Sequence, residues 1–85
     1  MSTTKHVLIF GIDGCRPDAL LAAQTPNIDT LIREGAFHPN AQTGIITISG
    51  PGWSDMLTGV WAAKHGVQDN SFEGANYDQY PHLFQ

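Results

Sequence analysis

Cysteine is nearly absent: Cys15 is the single one in 85 residues, so no intrachain disulfide can form. Basic residues are equally scarce. Lys5, Arg16, Arg33 and Lys64 lie far apart, and the net charge is −4, which excludes a nucleic-acid-binding surface built on basic patches. No apolar run is long enough to cross a membrane; Val7 to Ile12 is far too short. Met1 to His6 lacks the basic start and apolar core of a secretory leader. With the lone cysteine, that favours a cytoplasmic setting for the residues shown and otherwise leaves localisation open. There is no internal repeat, linker or low-complexity tract. Such a chain makes one small domain with a modest core.

What is present begins with Val7-Leu8-Ile9-Phe10-Gly11-Ile12, a near-continuous apolar run with β-branched residues. It reads as a strand buried on both faces, as in a parallel sheet under helices. Asp13-Gly14 follows at the strand's carboxyl end, where ligand groups collect in open α/β sheets. Asp13 is therefore a candidate metal ligand or catalytic group. Asp before Gly is also a common turn pair, and that reading stays open. A parallel sheet of only two or three strands would leave apolar edges exposed, so the chain reads as the beginning of a larger α/β domain.

Arg16 to Ala23 suits a short helix, with Pro17 early and Asp18 in the first turn. Thr25-Pro26 opens a clearer one, in which Ile28, Leu31 and Ile32 form a stripe that would cover the sheet before Gly35 ends it. A third helix is predicted over 51–58. Pro51 suits its first position, Trp53, Met56 and Leu57 recur at helical spacing, and Gly59 fits a left-handed end. Ser49 then stands where an extended segment turns into a helix. Unpaired N–H groups and the dipole's positive end meet there, favouring an oxyanion or phosphate. Ser is also ordinary before a helix for its capping value alone. The stretch from Val60 to Asn70 looks loop-like, and His65, before Gly66, is read as packing or capping locally rather than binding metal.

A dinucleotide fold is excluded, because Gly11-Ile12-Asp13-Gly14-Cys15-Arg16 lacks the second and third glycines of the phosphate-binding pattern. A haloacid-dehalogenase-like phosphatase is excluded because Gly11 stands where its nucleophilic aspartate belongs. Asp13 and Ser49 taken together fit a third chemistry. A metal ion held by a carboxylate and a serine oxygen makes an alkoxide nucleophile near neutral pH, a second metal clamps the transferred group, and an amide such as Asn70 donates to a non-bridging oxygen.

Several pieces in order carry a family resemblance. They are Val7 to Gly14 with Arg16 and Asp18, Thr25 to Leu31 ending at Gly35, Thr47 to Gly52 running to Leu57-Thr58-Gly59, Lys64-His65-Gly66-Val67, and Asn70-Ser71-Phe72. Together they resemble the N-terminal portion of the alkaline phosphatase superfamily, nearest its type I phosphodiesterase/nucleotide pyrophosphatase branch. The resemblance implies an α/β fold, a partial alkaline-phosphatase-like parallel sheet flanked by helices, with residues 1–85 the N-terminal part of one catalytic domain. It implies hydrolysis of a small phosphate ester with two divalent metal ions, zinc in typical members. Ser49 is implied as nucleophile and metal ligand, Asp13 as metal ligand, and Asn70 as the amide on the substrate phosphoryl group. His65 falls in a His-Gly segment that does not ligate metal.

Two departures matter. Gly50 stands where many relatives have a large residue, and Trp53 stands where sulfatases of the formylglycine type have arginine. A phosphomonoesterase, a sulfatase-like hydrolase or a non-catalytic truncated product are the alternatives. The family's other zinc ligands lie downstream of the stretch resembled here. The 85 residues alone are therefore expected to be inactive.

Overall fold

The computed structural model describes residues 4–85, in two compact units: one ending at Asn40, the other spanning Ala41–Gln85. Among the described residues the regular structure is helical: α1 (Pro17–Ala22), α2 (Pro26–Glu34), α3 (Ser49–Thr58) and α4 (Ala62–His65). No strand occurs among them. The expected parallel sheet flanked by helices is therefore corrected, and with it the buried strand over residues 6–12. That segment has no regular secondary structure, and its apolar side chains face solvent, Val7 at 91% and Phe10 at 82% exposure. The physical reason is that a strand is not a local structure. An apolar run is buried only when ladder partners flank it and layers cover both faces, and the described residues supply neither.

In the first unit the helices start and stop where local chemistry directs. Pro17 and Pro26 open α1 and α2, where a missing N–H costs nothing. The Arg16 guanidinium forks onto Asp18, Nε to Oδ1 at 3.0 Å and Nη2 to Oδ2 at 2.8 Å. That pairing, with the Ala19 N–H, holds the Asp18 carboxyl below its ordinary value. Thr25 precedes α2 but does not cap it through its side chain; its hydroxyl donates to Asp29 at 3.1 Å instead. No residue of α2 is buried: in the stripe expected to cover a sheet, Leu31 is 70% exposed and Ile28 and Ile32 are half-buried.

The second unit holds the buried residues of the described chain: Gly50, Pro51, Ser54, His65 and Val67. The third helix begins two residues earlier than its proline predicted, with Ser49 first and Pro51 third. The first turn tolerates this, because its N–H groups have no intrahelical acceptor in any case. Gly59 ends α3 at φ +74°, in the left-handed region as expected. A single turn, α4, follows where the sequence looked loop-like, closed by Gly66 at φ +79°. The tail packs back on α3. The Leu83 N–H donates to the Leu57 carbonyl at 2.8 Å, and the Ser54 and Tyr77 hydroxyls share a 2.7 Å hydrogen bond.

Candidate active site

Each predicted site residue has a definite local setting. Asp13 lies in the first unit, exposed, in a turn with Gly14 at φ +72°. The turn reading of Asp-Gly is thus realised, and it keeps the carboxylate at the surface. Ser49 lies in the second unit as the first residue of α3, also exposed. Asn70 comes to the same helix end: its Oδ1 accepts the Gly50 N–H at 2.7 Å. The structure therefore brings Asn70 to the residue next to Ser49, across 20 positions of sequence.

This contact alters the expected anion cradle. Of the first helical positions, Gly50 gives its N–H to Asn70 and Pro51 has none to give. At this helix end lie the positive end of the dipole and a carboxamide whose oxygen is committed to Gly50. The amide's other end, Nδ2, carries two N–H donors.

Close approach explains the glycine at position 50. A Cβ there would lie 2.8 Å from the Asp69 carbonyl oxygen and 3.0 Å from Asn70 Oδ1. Asp69 is itself fixed, accepting from the Ser71 N–H at 2.9 Å and the Ser71 hydroxyl at 2.5 Å, which hold its carboxyl below the usual range. Gly50→Ala is therefore expected to break the Asn70 contact. Overpacking costs about 1–3 kcal/mol and the lost hydrogen bond about 1 kcal/mol. The gain in helix propensity is at most about 1 kcal/mol, so the net is destabilising. A urea titration followed by tryptophan fluorescence measures it, since Trp53 and Trp61 both lie in this unit; an unchanged midpoint contradicts the packing described.

His65 is fully buried and plays a structural part, as read from the sequence. Its Nδ1 accepts the Val67 N–H at 3.0 Å, which places the ring proton on Nε2, donated to Asp55 Oδ1 at 2.6 Å. Sequence reasoning missed Asp55. It lies ten positions before His65 on a different element, and no periodic pattern links the two. Tyr77, the partner of buried Ser54, was missed for the same reason. Beside that pair an apolar recess of about 160 Å³ is lined by Trp53, Leu57, Phe72 and His82. The two hydroxyls bond to each other and His82 Nδ1 accepts the Phe84 N–H at 3.1 Å, so the polar groups around the recess have partners within the chain.

Among the described residues no three of His, Cys, Asp or Glu gather as a metal site. A catalytic zinc takes three protein ligands. The described residues therefore do not fit a complete zinc centre.

The class of protein follows from comparison with known sequences. Residues 7–83 match the family model described as type I phosphodiesterase / nucleotide pyrophosphatase. The chain belongs to that family of phosphoric-ester hydrolases. Among its relatives, a Xenopus laevis protein named bis(5'-adenosyl)-triphosphatase enpp4 is 28% identical over 82 residues, covering 96% of this chain and 18% of the relative. The Homo sapiens protein of that name is 28% identical over 74 residues, 87% of this chain and 16% of the relative. A Schizosaccharomyces pombe protein, described as an uncharacterized pyrophosphatase/phosphodiesterase, is 29% identical over 66 residues, 78% of this chain and 14% of the relative. The chain thus spans less than a fifth of the curated relatives it matches. No solved structure matches it.

Proposed function

We propose that these residues supply the nucleophile and a substrate-contacting amide of a metal-dependent phosphoric-ester hydrolase. Its substrate class is the phosphodiester or nucleotide pyrophosphate that the family description and the relatives' names indicate. Ser49 is the nucleophile. Its Oγ bonds to phosphorus as its proton passes to water and the bond to the leaving oxygen breaks; the leaving oxygen takes up a proton, and a further water then hydrolyses the phosphoseryl ester and restores the hydroxyl. Asn70 donates from Nδ2 to a non-bridging oxygen, where charge grows as the bond order changes. Asp13 and Ser49 are proposed to give oxygens to divalent metal ions, zinc by family resemblance. Such ions, when bound, would lower the hydroxyl pKa and neutralise the phosphoryl charge. Further ligands beyond these two residues are required.

The observation that carries the reading is the 2.7 Å contact of Asn70 with Gly50, which sets an amide beside an exposed serine at a helix's positive end. The experiment that tests it places residues 7–83 in the matching stretch of the Xenopus relative and incubates the chimera with a radiolabelled phosphodiester. Acid quenching and peptide mapping should recover the label on the peptide carrying Ser49. Label on any other residue, or turnover with no trapped intermediate at any quench time, overturns it.

A further inference from the structure

We infer that the Asp55–His65 pair is a positioning device for Asn70, tying the segment after α4 to the middle of α3 so that the Asn70 carboxamide meets the helix's first turn. The inference rests on reading Ser49 and Asn70 as the reacting end of this unit.

The same short segment touches α3 at two points. At one, buried His65 donates from Nε2 to Asp55 at 2.6 Å. At the other, Asn70 accepts from Gly50 at 2.7 Å. Gly50 and Asp55 lie five residues apart on one helix, a rise of about 7.5 Å. His65 and Asn70 are also five residues apart, and an extended chain of that length reaches roughly 17 Å. The strap therefore has slack, and its course depends on how its ends are pinned. Between them, Val67 is buried and its N–H is held by His65 Nδ1 at 3.0 Å. Behind them, the His65 carbonyl accepts the Asn76 N–H at 2.8 Å. Imidazole, main chain and carboxylate thus fix the strap's start on three sides. A lone Asn70 hydrogen bond could not do this. Its net worth is smaller than the conformational entropy of ordering the residues that precede it. The Ser71 bonds to Asp69 order the far end of the strap, and His65 orders its start, so that the carboxamide stays on Gly50.

The test uses the ¹⁵N-labelled 85-residue chain and reads the Gly50 amide proton shift. Asn70→Ala sets the value without the carboxamide. Asp55→Ala should move Gly50 more than half of the way to that value. The Gly59 amide, bonded to the Asp55 carbonyl at 2.9 Å, should stay in place and show α3 intact. Asp55→Asn keeps an oxygen for the Nε2 proton and should restore the wild-type Gly50 shift. If Asp55→Ala melts the helix, Asp55→Leu, which keeps the branched shape without the charge and favours helix, is held to the same criteria. A Gly50 shift unmoved by loss of the carboxylate overturns the inference, as does an Asp55→Asn chain displaced as far as Asp55→Ala. None of this reads activity. A positive result with no phosphoryl group trapped on Ser49 would keep the positioning and sink the functional reading; the converse would do the reverse.

Discussion

A Gly66→Ala chain is expected to lose the cooperative unfolding transition of residues 41–85. Gly66 adopts φ +79°, and a Cβ there would overlap the Gly74 carbonyl oxygen. The left-handed conformation alone costs an ordinary residue about 1–2 kcal/mol. The overlap is with main chain, so no rotamer change relieves it, and overpacking adds about 1–3 kcal/mol. The other side of the balance is small. At about 0.05–0.15 kcal/mol per residue, a unit spanning Ala41–Gln85 has roughly 2–7 kcal/mol to lose. The two costs together, about 2–5 kcal/mol, are of the same size as that reserve. Far-ultraviolet dichroism and tryptophan fluorescence during a thermal scan report the result. A transition within a few degrees of wild type would mean that the Gly66–Gly74 approach does not hold this unit together.

The second large effect is chemical. In the chimera with the Xenopus relative, Ser49→Ala should abolish the trapped phosphoryl intermediate and lower the rate at least about a thousandfold, as loss of a nucleophile does. Thr47→Ala is the control. Thr47 is the rival hydroxyl two positions earlier, exposed and outside any helix. Its removal should leave the rate within about threefold, since an exposed side chain away from the chemistry is worth about half a kcal/mol. The opposite pattern would transfer the nucleophile to Thr47 and leave Ser49 with a helix-starting role.

Local chemistry was readable in the sequence, and long-range pairing was not. The Thr25-Pro26 opening and the Gly35 end bracket α2 correctly, because proline and glycine act on their own neighbours, although Thr25 makes no side-chain cap. Gly59 ends α3 as expected for the same reason. Residues 62–65 escaped notice because one helical turn is too short to show a period. The strand over residues 6–12 was read from composition, yet what makes such a run a strand is a neighbour it cannot specify. The site divides the same way. Ser49 at a helix start and His65 as a structural residue follow from adjacent glycines and proline. The Asp55–His65 bond and the fit of Gly50 under Asp69 are visible only once the main chain has folded back.

The open Val7 to Ile12 segment bears on how the molecule behaves in a tube. Six uncharged residues rich in β-branched and aromatic side chains, without proline and exposed to solvent, are the composition that stacks between copies into dry paired sheets. Such assembly depends on collisions, so its rate climbs with concentration, while intramolecular unfolding has no such dependence. Dilution is therefore expected to slow the loss of dispersed chain on storage, and a charged residue in that segment should slow it further without touching Ser49 or Asn70.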